Sequence, residues 1–228
     1  MSTGKKLGML TAGLVIAAVL AVFATVVLRQ ADRSRADIPV IQEVPHFTFV
    51  NQDGEPYGSG NLIGKISVVD FIFTRCENAC PIMAREMEAL YSAYEGTDDV
   101  QFVSITVDPA HDTLEVLQAY AAAHGVTDKR WQFLHAPIDS VVWLSEEGFL
   151  LPAENLPMGH SPRFALVDRE GYIRGYFNAL EGKPMIAIKQ QIKELLKMPK
   201  ASHGMVSSAH AAEAMEANKP GEPCCEPE

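Results

Sequence analysis

Basic residues are scarce in this chain, with 19 Lys and Arg against 29 Asp and Glu, which leaves a formal net charge of −10. Binding to nucleic acid phosphates requires a basic surface, so this balance argues against nucleic acid as a partner. Cysteine is also scarce, with four in 228 residues, too few for a scaffold held together by disulfides. The four cysteines fall into two pairs, Cys76 with Cys80 and Cys224 with Cys225.

Charged residues are absent from Leu7 to Leu28, a stretch rich in Leu, Val and Ala. As a helix, its 22 residues would be about 33 Å long, which is enough to cross a bilayer. Ala21–Ala24 is a poor cleavage site for a signal peptidase, so we expect an uncleaved transmembrane helix. Residues 1–6 then form a short N-terminal segment, residues 29–39 form a linker, and the remaining chain is expected outside the cytoplasm.

The pair Cys76 and Cys80 follows the apolar stretch Ile66–Phe73 and directly precedes Pro81. The apolar stretch predicts a strand covered on both faces, and Pro81 suits the first turn of a helix. Both thiols therefore fall where a helix begins, and there the backbone N–H groups and the helix dipole favour the thiolate. Thiolates bind soft metals and attack disulfides, so the pattern indicates copper chemistry, redox chemistry or both.

Strands and helices alternate between residues 40 and 198. We predict strands at His46–Val50, Ile66–Phe73, Val100–Val107, Trp131–His135, Arg163–Asp168 and Tyr172–Phe177, and helices at Ile82–Tyr94, Thr113–His124, Ile138–Glu147 and Met185–Leu196. This order indicates an α/β fold, a central mixed sheet flanked by helices. Two thiols at the first strand-to-helix junction are typical of thioredoxin-like proteins, although the spacing here is wider than Cys-x-x-Cys.

Three blocks of sequence, in this order, resemble the Sco/SenC family of membrane-anchored, copper-binding proteins with a thioredoxin fold. The blocks are Asp70–Pro81, Ser104–Pro109 with Asp112–Thr113, and Gly159–Ser161 leading into Phe164–Asp168. The resemblance covers roughly residues 40–198, behind the predicted anchor. In that family two cysteines and one histidine bind copper, which carries over here to Cys76, Cys80 and His160.

The resemblance implies copper, as Cu(I), Cu(II) or both, and a role in cytochrome c oxidase assembly. The family assists copper delivery to the dinuclear copper centre of the oxidase, so the copper-site subunit is the expected partner. Other copper carriers and thioredoxin-like reductases are further expected partners. The N-terminus lacks a transit peptide rich in Arg and Ser, so we expect a bacterial inner membrane, with the soluble domain facing the periplasm or cell exterior.

The chemistry of these residues agrees with the resemblance, because two thiolates and an imidazole suit Cu(I) and can also serve Cu(II). His160 lies in a loop before a strand, and a loop can bring it over the cysteine pair. Asp108 either orients a ligand or only ends its strand, and both readings stay open. Arg75 adds positive charge that favours the thiolate, whereas Glu77 opposes it. Three further histidines are expected to be surface or packing residues: His111, His124 and His135.

Three functions remain open at this point. In the first, a copper metallochaperone, Cys76, Cys80 and His160 hold the metal. In the second, a thiol-disulfide oxidoreductase, Cys76 is the catalytic nucleophile and Cys80 is the resolving thiol. The third, peroxide reduction on the same fold, normally needs a Thr-x-x-Cys arrangement, which Thr74 and Arg75 do not provide.

Residues 199–228 differ from the rest of the chain, because Ala, Ser, Glu and Pro dominate and few side chains could form a core. We therefore predict a disordered tail. The tail holds soft metal ligands, namely His203, Met205, His210, Met215, Cys224 and Cys225. They either capture or hand off copper or occur there by accident, and the sequence does not decide between these readings.

Overall fold

The computed structural model describes residues 16–25, 38–76 and 79–198 of the chain. Residues 16–25 are helical and exposed, and the remainder of the predicted membrane helix lies outside the described residues. Residues 1–6, most of the predicted linker and the tail at 199–228 also lie outside them. Among the residues that the structure describes, no helix has the length and apolar character that a membrane span requires.

A mixed sheet dominates the described part of the chain. Its strands are β1 (Gln42–Glu43), β2 (Thr48–Asn51), β3 (Pro56–Gly58), β4 (Ile66–Ile72), β5 (Val100–Thr106), β6 (Trp131–His135), β7 (Arg163–Val167) and β8 (Tyr172–Asn178). Their spatial order is β1-β8-β7-β4-β5-β6-β2-β3. The central strands β4, β5 and β6 are parallel, and the other neighbouring pairs are antiparallel.

Helices alternate with the later strands, and those after β4 and β5 connect the parallel strands. They are α1 (Cys80–Ala93), α2 (Leu114–Ala123), α3 (Ile138–Trp143) and α4 (Gly182–Lys197), and α3 continues into a π-helical turn at Leu144–Gly148. Helix α1 contacts β5, α2 contacts β6, and α4 contacts β8 and β4. The hydroxyl of Thr113 accepts a hydrogen bond from the Val116 N–H and caps α2, as its side-chain chemistry favours.

The centre of the sheet is buried on both faces. Every residue of β4 and of β5 is buried, as expected for parallel strands between helices. Strand β4 lies between β5 and β7. It pairs with β7 in the antiparallel direction, and Ala165 lies opposite Val69. Because β4 and β7 run in opposite directions, the carboxyl end of β4 and the start of β7 lie at the same edge of the sheet. The chain segments just beyond them are therefore brought together.

The predicted α/β, thioredoxin-like arrangement with a mixed sheet is confirmed, and the predicted strands and helices are present with small shifts at their ends. The short strands β1 and β3 were not predicted. They contain two and three residues, too few to show the alternation that identifies a strand in sequence. The predicted helix at 138–147 is divided between α3 and the π-helical turn.

Candidate metal centre

The two cysteines of the motif lie at the junction between β4 and α1. Cys76 follows β4 in a turn where its N–H donates to the carbonyl of Phe73 at 3.3 Å, and Cys80 is the first residue of α1. The N–H of Cys80 points at the Sγ atom of Cys76, 3.4 Å away. A free N–H at the start of a helix is thus directed at the sulfur of Cys76, as the spacing predicts.

The third predicted residue, His160, reaches the cysteines from the loop before β7. Its Nε2 atom lies 3.4 Å from the Sγ of Cys80. The ring packs edge-on against Phe73, with the ring centroids 5.4 Å apart and an interplanar angle of 88°. Gly159 donates to the carbonyl of Asn155 at 3.1 Å, and a Cβ at Gly159 would collide with the backbone carbonyl oxygen of Glu154. Glycine is therefore needed for the close backbone approach that precedes His160.

The three side chains form a compact set of donors, since their ligand atoms all lie within 4.8 Å of one another. Cys76, Cys80 and His160 are thus close enough to supply ligands to one metal ion. Two sulfurs and one imidazole nitrogen suit copper. Cys76 and Cys80 are not joined in a disulfide, so both are present as thiols.

Exposure differs among the three donors. Cys80 is 2% exposed and His160 is 9% exposed, whereas Cys76 is half-buried. The Nδ1 atom of His160 is buried and has no hydrogen-bond partner among the described residues. A ligand histidine is usually oriented by a hydrogen bond from its second nitrogen. Here the ring of His160 is held by packing against Phe73 and by the contact of its Nε2 atom with the Cys80 sulfur.

Burial also sets the protonation of the donors. It raises the pKa of the Cys80 thiol, and the nearby Cys76 and Asp70 act in the same direction. Burial lowers the pKa of His160, although the backbone at Ser161 and Phe71 partly opposes this. The imidazole is therefore neutral and the Cys80 thiol protonated at neutral pH. The expectation that the helix start favours the thiolate at both cysteines is wrong for Cys80, because desolvation outweighs the helix terminus there.

Two aspartates after β5 hold the residues just before Cys76. Asp108 accepts from Nε of Arg75 at 2.7 Å, so the charge of Arg75 is partly compensated by a carboxylate. Asp112 accepts from both the N–H and the hydroxyl of Thr74. The side-chain contact of Asp108 is with Arg75, the neighbour of Cys76, and not with any of the three donors, so both interpretations of Asp108 remain predictions. Glu77 lies outside the described residues.

Sequence reasoning missed the side chains that surround the donors. Asp112 belongs to the second of the three sequence blocks, where no role was assigned to it, and it is fully buried. The block containing Asp112 was visible in the sequence, yet its contact with Thr74 depends on the fold. His124 and His135 contact Glu88 and the Pro109 carbonyl, respectively, and lie outside the donor set, as predicted.

A mixed, thioredoxin-like sheet with two cysteines at a strand-to-helix junction and a histidine over them defines a thiol-based metal-binding protein. The SCO1/SenC family model matches residues 36–197, and the chain belongs to this family, as its three sequence blocks predict. It is 31% identical over 161 residues to the SCO1 protein homolog of Bacillus subtilis (strain 168), covering 68% of this chain and 83% of that protein.

Solved structures give the same result. BsSco, described as a member of the Sco family of cytochrome c oxidase assembly proteins with a disulfide switch, matches with a TM-score of 0.63 and 30% identity over 71% of this chain and 97% of that one. ScoI of Bradyrhizobium japonicum with copper bound matches with a TM-score of 0.54 and 22% identity, over 65% and 99%. The latter similarity supports the fold alone. Copper, the cofactor expected from the sequence, is the metal bound in that structure.

Proposed function

We propose that this protein is a membrane-anchored copper chaperone that binds copper at Cys76, Cys80 and His160 and delivers it to the dinuclear copper site of cytochrome c oxidase. The observation that supports it most directly is the convergence of three soft donor atoms within 4.8 Å. Two sulfur donors select for copper over the harder divalent ions, and the neutral imidazole completes a site that can serve either oxidation state.

The proposed location rests on the sequence of the N-terminal segment. Leu7–Leu28 is long and apolar enough to span a bilayer as a helix, and the metal-binding domain begins shortly after it. An anchor would hold the domain next to a membrane-embedded oxidase. We place the domain on the periplasmic or outer side of a bacterial inner membrane. BsSco is described as a member of a family of cytochrome c oxidase assembly proteins. This description supports our proposal that the partner is the copper-site subunit of the oxidase.

A copper titration of the purified full-length chain tests the binding step. Cys224 and Cys225 are first replaced by Ser, so that Cys76 and Cys80 are the remaining thiols. The reduced protein is titrated with Cu(I) under anaerobic conditions against a chelator of known affinity, and copper is quantified per chain. We expect one tightly bound copper, which is lost when Cys76 and Cys80 are replaced by Ser. Absence of stoichiometric binding by the reduced parent would overturn the copper proposal.

The delivery step needs a separate measurement, because a copper store would also pass the titration. The copper-loaded protein is mixed with the reduced soluble domain of the oxidase copper-site subunit, and the two are separated before copper is quantified in each. We expect transfer to this acceptor and none to an acceptor whose copper-ligating cysteines are replaced by Ser. Retention of copper by the donor would argue for storage.

A thiol-disulfide oxidoreductase is the second candidate, supported by the unequal exposure of the two cysteines. The sulfur of half-buried Cys76 would attack a partner disulfide, forming a mixed disulfide and releasing one partner thiol. Buried Cys80 would then attack the Cys76 sulfur and release the second thiol. The partner gains two electrons, and the resulting Cys76–Cys80 disulfide must be reduced again by an external dithiol. Copper-free, reduced protein should then reduce the disulfide of the oxidase subunit.

A further inference from the structure

The segment after β5 is joined to the residues just before Cys76 by one buried carboxylate. Asp112 accepts hydrogen bonds from the Thr74 N–H at 3.1 Å and from the Thr74 hydroxyl at 2.5 Å. It also accepts from the hydroxyl of Thr106 at 2.6 Å. Asp112 is fully buried, so these charge-assisted bonds form away from water, where they are stronger than neutral ones. A single side chain therefore connects the ends of two neighbouring strands.

A second contact in the same segment is weaker. Asp108 accepts from Arg75 at 2.7 Å, but the Arg75 side chain is 57% exposed. Exposed ion pairs contribute little, because water and salt screen them and long side chains lose entropy. The N–H of Asp112 donates to the carbonyl of Asp108 at 2.9 Å, which keeps the segment compact. The buried contact between Asp112 and Thr74 is therefore the main connection.

Cys76 is the donor that most needs such a connection. Cys80 is held by α1 and by burial, and His160 is held by packing against Phe73. Cys76 is half-buried and lies in a turn outside both β4 and α1. The Cys80 N–H contacts its Sγ atom, and the backbone that carries it is fixed in part through Thr74, two residues away.

We propose that Asp112 is a positioning residue for the metal centre, acting through Thr74 on the backbone that presents Cys76 to Cys80 and His160. The inference rests on the proposed copper function. The Thr74 hydroxyl makes the shorter of the two bonds to Asp112, and without that bond the turn at Cys76 gains freedom. Metal binding must then order that turn, which lowers affinity.

The test changes the partners of Asp112, since replacing a fully buried carboxylate risks unfolding. Full-length protein with Cys224→Ser and Cys225→Ser is the parent. Thr74→Val removes the hydroxyl at similar size, Thr74→Ser keeps it, and Thr106→Val removes the other hydroxyl from the same carboxylate. Two quantities are measured in each variant. One is the Cu(I) affinity by chelator competition, and the other is the rate of Cys76 alkylation by iodoacetamide in reduced, metal-free protein, followed by peptide mass spectrometry.

We expect Thr74→Val to lower the Cu(I) affinity about tenfold, equivalent to about 1.4 kcal/mol, and to speed Cys76 alkylation several-fold. Thr74→Ser should behave like the parent in both measurements. Thr106→Val should reduce the midpoint of urea unfolding while leaving Cu(I) affinity and alkylation close to the parent.

Two results would overturn the positioning role. One is Thr74→Val matching Thr74→Ser in both measurements. The other is Thr106→Val matching Thr74→Val, since the contact would then act only through general stability. If the parent bound no Cu(I), the proposed function would fail, but the alkylation rates would still decide whether Asp112 positions Cys76.

Discussion

Asp70 and Ser104 lie opposite each other on the parallel strands β4 and β5, and the Ser104 hydroxyl donates to the Asp70 carboxylate at 2.6 Å. The same hydroxyl oxygen accepts from the indole N–H of Trp131 at 3.0 Å. Asp70 is 1% exposed, and burial raises its pKa to about 7, although the Ser104 hydrogen bond opposes the rise. A carboxyl group that takes up and releases protons near neutral pH is thus enclosed in the sheet.

This carboxyl makes folding stability depend on pH. Because its pKa is higher in the folded than in the unfolded chain, the folded state binds the extra proton between about pH 4 and pH 7. Stability from this group is complete below the unfolded pKa and is lost as the pH rises through about 7. The lowered pKa of His160 acts in the opposite direction, so the loss is measured as the difference between the unaltered chain and Asp70→Asn. Urea unfolding of reduced, metal-free protein at pH 5 and pH 7 should give a difference of roughly 2–3 kcal/mol.

The matched control for this measurement is Asp53→Asn, which changes an exposed aspartate and should keep the pH dependence of the unaltered chain. If Asp70→Asn retained that dependence as well, the group responsible would be a different one.

Copper affinity should rise with pH because of Cys80. Burial keeps the Cys80 thiol protonated at neutral pH, and copper binding must displace that proton. Each displaced proton changes the apparent affinity about tenfold per pH unit. Burial lowers the pKa of His160, so its imidazole is already neutral at neutral pH and above. Chelator competition at pH 6, 7 and 8 should give at least this slope, and an affinity independent of pH would contradict the protonation described for Cys80.

His160→Ala should separate metal binding from thiol exchange. Removing one of three donors should lower the Cu(I) affinity by about 100-fold or more, since even residues that only support a ligand account for about 10–100-fold. The exchange of Cys76 and Cys80 with a small disulfide should survive, because neither sulfur is changed. His111→Ala, at an exposed histidine, is the control. Unchanged copper affinity in His160→Ala would remove His160 from the ligand set.

Gly159→Ala should displace His160 without altering any donor. The added Cβ would collide with the Glu154 carbonyl oxygen, so the loop must shift. We expect a fall of about tenfold in Cu(I) affinity, equivalent to about 1.4 kcal/mol. Gly182→Ala is the control, because a Cβ there meets nothing within 4 Å. Equal affinities in the two variants would show that the loop accommodates the change and that close packing at Gly159 does not position His160.

The position of the cysteine pair could be predicted from sequence because it depends on local signals. An apolar run, two thiols four residues apart and Pro81 suffice to place a strand end and a helix start. The partnership of His160 could not be found in this way, because 80 residues separate it from Cys80. It came from the resemblance to a family.

The surroundings of the donors were beyond sequence reasoning for a physical reason. The helix start suggests a thiolate at Cys80, and only the packed structure shows that burial prevails over it. Likewise, Asp112 next to Thr113 reads as a helix cap, and its contact with Thr74 exists only once β4 and β5 lie side by side. Both outcomes depend on tertiary packing, which local sequence does not record.

The antiparallel pairing of β4 with β7 has a consequence for engineering and for evolution. It is this pairing that brings the turn at Cys76 and the loop at His160 to one edge of the sheet. The connections between β5 and α2 and between α2 and β6 contribute none of the three donors. The cysteine turn and the histidine loop can therefore be redesigned one at a time, provided that β4 and β7 keep their register.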